Sequence, residues 1–85
     1  MITVVIVLIC NGLAALLSDL PNIEVIAKAN SGEEAILLAK KLKPNVILMD
    51  IRMPGIGGIA ATRKITVNHP DIKIIALTSC AEEPF

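Results

Sequence analysis

The stretch 46-VILMDIRMPGIGG-58 is the part of the sequence that is most informative about the fold. Its first four residues are aliphatic without alternation, which is typical of a parallel strand covered on both faces. The strand delivers Asp50 at its carboxyl tip. Met53-Pro54-Gly55 and Gly57-Gly58 then predict a loop, because proline fixes one turn and glycine permits others. We therefore expect a carboxylate at the end of a buried strand, followed by a turn-rich segment.

The sequence on either side of this stretch alternates predicted strands and helices. Aliphatic runs predict strands at residues 3–9, 23–29, 45–49 and 72–77. The second helix has the clearest start, because Ser31 and Glu34 have the spacing of a capping box. Apolar spacing predicts three buried helix faces: Leu13, Leu16, Leu17 and Leu20; then Ala35, Ile36, Leu38, Ala39 and Leu42; then Ile59, Ala60, Ile65 and Val67. This order predicts an open α/β sheet with right-handed crossovers.

Composition limits the classes of partner. The chain has 85 residues, enough for one domain, and its 8 basic and 8 acidic residues cancel, which disfavours binding to nucleic acid or anionic lipid. Lys40, Lys41 and Lys43 are more simply placed to stabilise a helix C-terminus than to bind phosphate. Two cysteines, Cys10 and Cys80, do not make a disulfide framework or a zinc site.

The N-terminal stretch 1–18 is apolar and lacks charge. It is short for a membrane span, has no basic residue before it and is interrupted by Asn11-Gly12. We therefore expect no membrane insertion and a cytoplasmic location.

The stretch 46–58 resembles the phosphoacceptor segment of bacterial response-regulator receiver domains. The specific features are an aliphatic strand ending in Asp50, Met53-Pro54-Gly55 three residues on, and a glycine that opens a helix. Residues 61–65 and 71–78 resemble the next helix and strand of that family, and 23–42 fits upstream, so the resemblance covers nearly the whole chain. It is strongest for regulators with a helix-turn-helix output domain of the LuxR type, the GacA, UvrY and LetA group.

The resemblance implies a flavodoxin-like sheet with strand order 2-1-3-4, the fifth strand missing, in a two-component phosphorelay protein that regulates transcription and is not an enzyme. Asp50 is implied to accept a phosphoryl group from a sensor histidine kinase or phosphotransfer protein. The Asp50 carboxylate and the main-chain carbonyl of Arg52 are implied ligands of Mg²⁺, and the hydroxyl of Thr78 is implied to bind and report the phosphoryl group. The implied loop residues are Met53, Pro54 and Gly58.

Two departures from the family pattern predict impaired chemistry. Family members carry an acidic pair at the end of the first strand, whereas residues 7–11 of this chain read VLICN, without a carboxylate. The chain also ends at Phe85, before the family's fourth helix, fifth strand and fifth helix. We therefore expect residues 1–85 to form a partial receiver domain without an output domain, with weak or absent Mg²⁺ binding and poor phosphorylation of Asp50.

Other interpretations stay open at this point. A degenerate receiver fragment that cannot be phosphorylated would act only as a protein-interaction module. The last predicted strand, 72–77, would then be an aliphatic sheet edge, which makes self-association possible. A flavodoxin-type cofactor binder or a small hydrolase is disfavoured, because no glycine-rich phosphate loop follows the first strand and no nucleophile-base pair is evident.

Overall fold

The chain folds as alternating strands and helices around one sheet. The computed structural model describes residues 1–7, 11–50 and 57–77. The elements are β1 (Ile2–Val7), α1 (Asn11–Ser18), β2 (Ile23–Ala29), α2 (Gly32–Leu42), β3 (Val46–Asp50), α3 (Gly57–Asn68) and β4 (Lys73–Leu77). The strands are parallel and ordered β2-β1-β3-β4. This confirms the predicted flavodoxin-like α/β fold, in which the strand order reverses between β1 and β3.

Both faces of the sheet are covered by helices, as the unbroken aliphatic strands require. The larger core cluster joins α2 and α3 to alternate residues of the strands, and it contains Val5, Val7, Ala29, Ala35, Ala39, Ile47, Met49, Ala61, Ile65 and Ile72. The smaller cluster lies on the other face against α1, and it contains Val4, Ile6, Ala14 and Leu48. The central strands β1 and β3 contribute to both clusters, and five of the six largest fully buried side chains among the described residues belong to them.

The predicted start of α2 is confirmed. Ser31 has an extended backbone, and its hydroxyl accepts a hydrogen bond from the Glu34 N–H at 3.1 Å. The Glu34 carboxylate reaches back and accepts from the Asn30 N–H at 2.8 Å. The helix ends at Lys43, whose φ of 47° is left-handed and whose N–H donates to the Ala39 carbonyl. Both ends of α2 are therefore satisfied by local hydrogen bonds.

The predicted buried face of α1 is confirmed at Leu17 and wrong at Leu16 and Leu20. Leu16 is 66% exposed and Leu20 is 46% exposed, whereas Ala14 is buried and Leu17 packs against the smaller cluster. The side chain of Leu13 lies outside the described part of the chain. Because α1 has apolar residues on more than one side, spacing alone did not select the side that meets the sheet. No helix within residues 1–7, 11–50 and 57–77 has the length and hydropathy needed to cross a membrane.

The predicted buried face of α3 is confirmed at Ile65 and wrong at Ile59 and Val67. Ile59 is 68% exposed and Val67 is 74% exposed, whereas Ala61 and Ile65 are buried. Gly58 is buried with them. The buried positions are thus 58, 61 and 65, and two of the three carry small or no side chains, which lets the helix approach the sheet closely. The buried face of α3 is therefore formed largely by small residues and not by its most hydrophobic ones.

At the amino ends of the strands, Asn45 ties three strands together. Its side-chain Oδ1 accepts from the N–H of Thr3 at 2.8 Å and from the Thr3 hydroxyl at 3.1 Å. Its own N–H donates to the Thr3 carbonyl, and its carbonyl accepts from the Lys73 N–H at 3.0 Å. Asn45 had been predicted as the first residue of the third strand. It instead precedes β3 and bonds to β1 on one side and β4 on the other, which fixes the register of all three.

Shortening a buried side chain of α3 tests the packing. We expect Ile65→Ala to lower the free energy of unfolding by about 2–5 kcal/mol, because Ile65 is 1% exposed and its loss leaves a cavity. Ile59→Ala, on the exposed side of the same helix, should change it by less than about 0.5 kcal/mol. Urea unfolding followed by far-ultraviolet circular dichroism measures both. Equal losses for the two variants would mean that α3 is docked through a different face.

Removing the Asn45 side chain tests the register. We expect Asn45→Ala to lower the free energy of unfolding by roughly 1–2 kcal/mol, because two hydrogen bonds to Thr3 are lost at a partly solvated site. The control is Asn22→Ala, since the Asn22 backbone carbonyl accepts from Ile2 while its side chain makes no hydrogen bond to the described residues. The same urea titration compares them. An Asn45→Ala variant as stable as the control would show that the register is set elsewhere.

Candidate functional site

The candidate site is built on Asp50, the last residue of β3. Asp50 is 7% exposed. Among the described residues, it is the charged residue that is buried. Asp50 pairs with Leu77 of β4, and the residue before it, Met49, pairs with Val7 of β1. The carboxylate therefore lies at the carboxyl edge of the sheet between two neighbouring strands. The strand order reverses at β1 and β3, which is where open α/β sheets form ligand-binding crevices.

The predicted partners of Asp50 follow immediately beyond the described ranges. Thr78 is next in the chain after Leu77, and Arg52, Met53 and Pro54 follow Asp50. These four residues lie outside the described residues, so their implied roles stay predictions. The structure does describe the strand ends that carry them, because β3 ends at Asp50, β4 ends at Leu77, and the two residues are paired.

The chain re-enters the described structure at Gly57, the first residue of α3. Gly57 has a φ of +84°, a left-handed conformation in which a side chain would be strained even though open space surrounds the position. Gly58 had been predicted in the loop, and that placement is wrong, since Gly58 lies inside α3 and is buried. Gly57 therefore supplies the left-handed turn, and Gly58 belongs to the buried side of α3.

The carboxylates of this site do not fit a tightly held Mg²⁺. The family pattern implies an acidic pair beside the phosphoacceptor, but residues 7–11 contain none. Among residues 1–7, 11–50 and 57–77, no group of three or more His, Cys, Asp or Glu residues could hold a metal ion. Mg²⁺ prefers an octahedral set of oxygen ligands and gives up its waters reluctantly, so a lone carboxylate binds it weakly.

Two other acidic residues lie toward the same edge, at the start of α2. Glu33 and Glu34 follow β2, and β1 separates β2 from β3 in the sheet. Neither belongs to a group of three or more His, Cys, Asp or Glu residues that could hold a metal ion within the described part of the chain. Glu34 is in addition engaged in the cap of its own helix. Neither residue therefore replaces the missing acidic pair.

Sequence patterns did not single out Asn45 or Thr3, although they position the site. The two residues lie at the amino edge of the sheet, and their hydrogen bonds hold β1 and β3 in the register that brings Asp50 beside β1 at the other edge. An asparagine after a proline, as in Pro44-Asn45, is an ordinary turn signal. Its role across three strands follows from the packed sheet and not from local sequence.

The sequence matches a protein-family model and curated relatives. Residues 6–85 match the model of the response regulator receiver domain. The chain is 51% identical to the response regulator GacA of Pseudomonas protegens over 78 residues, which cover 92% of this chain and 37% of that protein. It is 44% identical to the response regulator UvrY of Escherichia coli K12 over 73 residues, 86% of this chain and 34% of UvrY. The chain thus spans little more than a third of these relatives.

Solved structures show the same arrangement of strands and helices. The signal receiver domain of the putative response regulator NarL from Mycobacterium tuberculosis has a TM-score of 0.83 at 28% identity, over 98% of this chain and 69% of that one. A two-component response regulator of the LuxR family from Aurantimonas sp. SI85-9A1 has a TM-score of 0.82 at 29% identity, over 89% and 57%. Fold and sequence agree, and this chain belongs to the response-regulator receiver domain family, in its GacA and UvrY type.

Proposed function

We propose that Asp50 is the phosphoacceptor position of a two-component phosphorelay and that its phosphorylation is impaired in this chain. The observation that carries the proposal is the burial of the Asp50 carboxylate at the carboxyl tip of β3, beside the end of β4. The donor would be a sensor histidine kinase or a phosphotransfer protein in the cytoplasm. Thr78 would hydrogen-bond the phosphoryl group, and the loop with Arg52, Met53 and Pro54 would shape the entrance. Control of transcription would require the remaining two thirds of a GacA-like protein.

Charge accounts for the proposed impairment. A carboxylate attacks phosphorus readily only if the negative charge on the equatorial oxygens is neutralised. The described edge of the sheet offers Asp50 itself and no cluster of acidic side chains to concentrate a divalent cation there. Preorganised charge stabilisation of this kind contributes factors of about 10²–10³ per interaction to the rate. Asp50 is therefore positioned for phosphorylation but lacks the electrostatic support that makes it fast.

The second candidate function is a receiver fragment that is never phosphorylated and acts through surface contacts alone. It is favoured by the absence of a carboxylate in residues 7–11. The two candidates share the fold and differ in whether Asp50 ever carries a phosphoryl group, so one labelling experiment separates them.

Self-association is a further part of the proposal. Among the described residues, β4 pairs with β3 on one side and with no strand on the other. Ile74 packs against the larger core cluster, whereas Ile75, which faces the opposite side of the sheet, is 48% exposed. An aliphatic edge strand with free backbone groups pairs readily with another chain. We therefore propose that copies of this chain associate through β4.

The labelling experiment uses the chain with acetyl phosphate and excess Mg²⁺, and intact-mass spectrometry follows the phosphorylated fraction over time. We expect labelling at a rate about 10²-fold or more below that of a receiver domain with an acidic pair, because charge stabilisation is missing. Asp50→Asn is the control and should remove the label entirely. Labelling as fast as in the reference domain would contradict the impairment, and a complete absence of label on Asp50 would establish the second candidate.

Sedimentation velocity over a range of concentrations tests association through β4. We expect the chain to form dimers or larger species, and we expect Ile75→Lys to shift it toward monomer, because a lysine on an edge strand opposes pairing. Val67→Lys places the same charge on an exposed apolar residue of α3 and should leave the distribution unchanged. A monomer at every concentration would refute the association, and an equal effect of both variants would relocate it away from β4.

A further inference from the structure

The positive charges of this neutral chain are gathered on two neighbouring helices. Five of the 8 basic residues lie in the carboxyl-terminal part of α2, its cap and the middle of α3: Lys40, Lys41, Lys43, Arg63 and Lys64. Helix α3 has no acidic residue, and the acidic residues of α2, Glu33 and Glu34, are in its first turn, at the opposite end from the lysines. The chain is therefore electrically polarised although its net charge is zero.

Helix stabilisation explains only part of this cluster. Lys40 and Lys41 lie in the last turn of α2, where the helix dipole favours cations. Arg63 and Lys64, in contrast, lie before the last turn of α3, which has no basic residue. None of the five has an ion-pair partner within the described part of the chain. The charges on α3 therefore have no structural role that the described contacts account for.

A groove of about 490 Å³ runs between the two helices at this place. Its lining residues are Ile36, Lys40, Lys64, Ile65, Asn68 and His69. Lys40 comes from α2 and Lys64 from α3, both are exposed, and no acidic side chain lines the groove. Two ammonium groups from different helices thus border one cleft, which suits a ligand that carries carboxylates.

The surface beside the groove combines leucine side chains with charged ones. A second hollow, of about 510 Å³, lies along α2 and is lined by Glu34, Leu37, Leu38, Lys40 and Lys41. Leu37 is 62% exposed, although leucine is normally buried. Lys40 lines both the groove and the second hollow, so the lysines of the groove and the exposed Leu37 lie next to each other on the surface. A ligand that filled both would need acidic groups and apolar groups on the same surface.

We propose that the α2–α3 groove binds an acidic amphipathic segment of another protein, with carboxylates at Lys40 and Lys64 and an apolar side chain at Leu37. The surface favours a peptide over nucleic acid, because phosphate backbones are bound by basic stripes in chains of positive net charge, whereas this chain is neutral and combines its lysines with exposed leucine. Amphipathic helices dock in apolar grooves through residues at i, i+3, i+4 and i+7. The proposed surface is separate from Asp50, so it goes beyond the phosphorelay.

The test is a nuclear magnetic resonance titration of the ¹⁵N-labelled chain with a synthetic helical peptide that carries Glu on one side and Leu on the other. We expect amide shifts to cluster at Ile36, Leu37, Lys40, Lys64 and Asn68. Lys64→Glu should weaken binding about tenfold at low salt, because it reverses one charge at the groove. Lys28→Glu changes the net charge by the same amount at an exposed position of β2 and should leave binding within about twofold.

Further variants and ligands make the outcome decisive. Leu37→Ser should also weaken binding, and Lys64→Gln gives a milder change if Lys64→Glu disturbs folding, which circular dichroism reports. Asp50→Asn should bind the peptide normally, so a failure of the phosphoacceptor proposal does not affect this one. Equal loss in the Lys28 and Lys64 variants, no shifts in the groove, or tighter binding of a single-stranded DNA oligonucleotide or inorganic phosphate at the same residues would overturn the proposal.

Discussion

The structure depends on one constraint, which is that β3 must be buried on both faces while its last residue is a carboxylate. Ile47 and Met49 face the cluster under α2 and α3, and Leu48 faces the cluster under α1. Such a strand is stable only in the middle of a parallel sheet with helices on both sides. Asp50 is therefore carried to the carboxyl edge by the same packing that holds the domain together. The strand β3 therefore contributes both to the hydrophobic core and to the candidate site.

The amino edge of the sheet aligns the strands, and the carboxyl edge carries the candidate site. At the amino edge, Asn45 bonds to Thr3 and Lys73 and fixes how β1, β3 and β4 align. At the carboxyl edge, that alignment places Asp50 opposite Leu77. The acidic support that the family implies at this edge is missing from residues 7–11, while the basic residues of α2 and α3 lie elsewhere on the surface. The binding proposed for the helices and the chemistry proposed for Asp50 therefore rest on different parts of this receiver domain.

Strand periodicity and cap motifs were sufficient to predict most of the fold. The four strands and the capping box at Ser31 are confirmed, because each depends on local sequence. The strand order, which the family resemblance implied, is confirmed as well. The buried faces of α1 and α3 were predicted only in part, since Leu17 and Ile65 meet the core while Leu16, Ile59 and Val67 are exposed. With 54% hydrophobic residues, each of these helices has apolar side chains on several sides, and small residues such as Ala14 and Ala61 selected the side that meets the sheet. The position of Asp50 was predictable, but the link from Asn45 to three strands was not, because it exists only in the assembled sheet.

The ends of β3 and β4 are proposed to form one phosphoryl-binding site. The most direct measurement is the nuclear Overhauser effect between the Asp50 methylene protons and the Thr78 methyl group in the folded chain. We expect a strong effect, together with the backbone contacts of the Asp50 and Leu77 pair. Backbone contacts between Asp50 and Leu77 without any effect between the Asp50 and Thr78 side chains would contradict it, because the hydroxyl would then lie too far away to bind a phosphoryl group on Asp50.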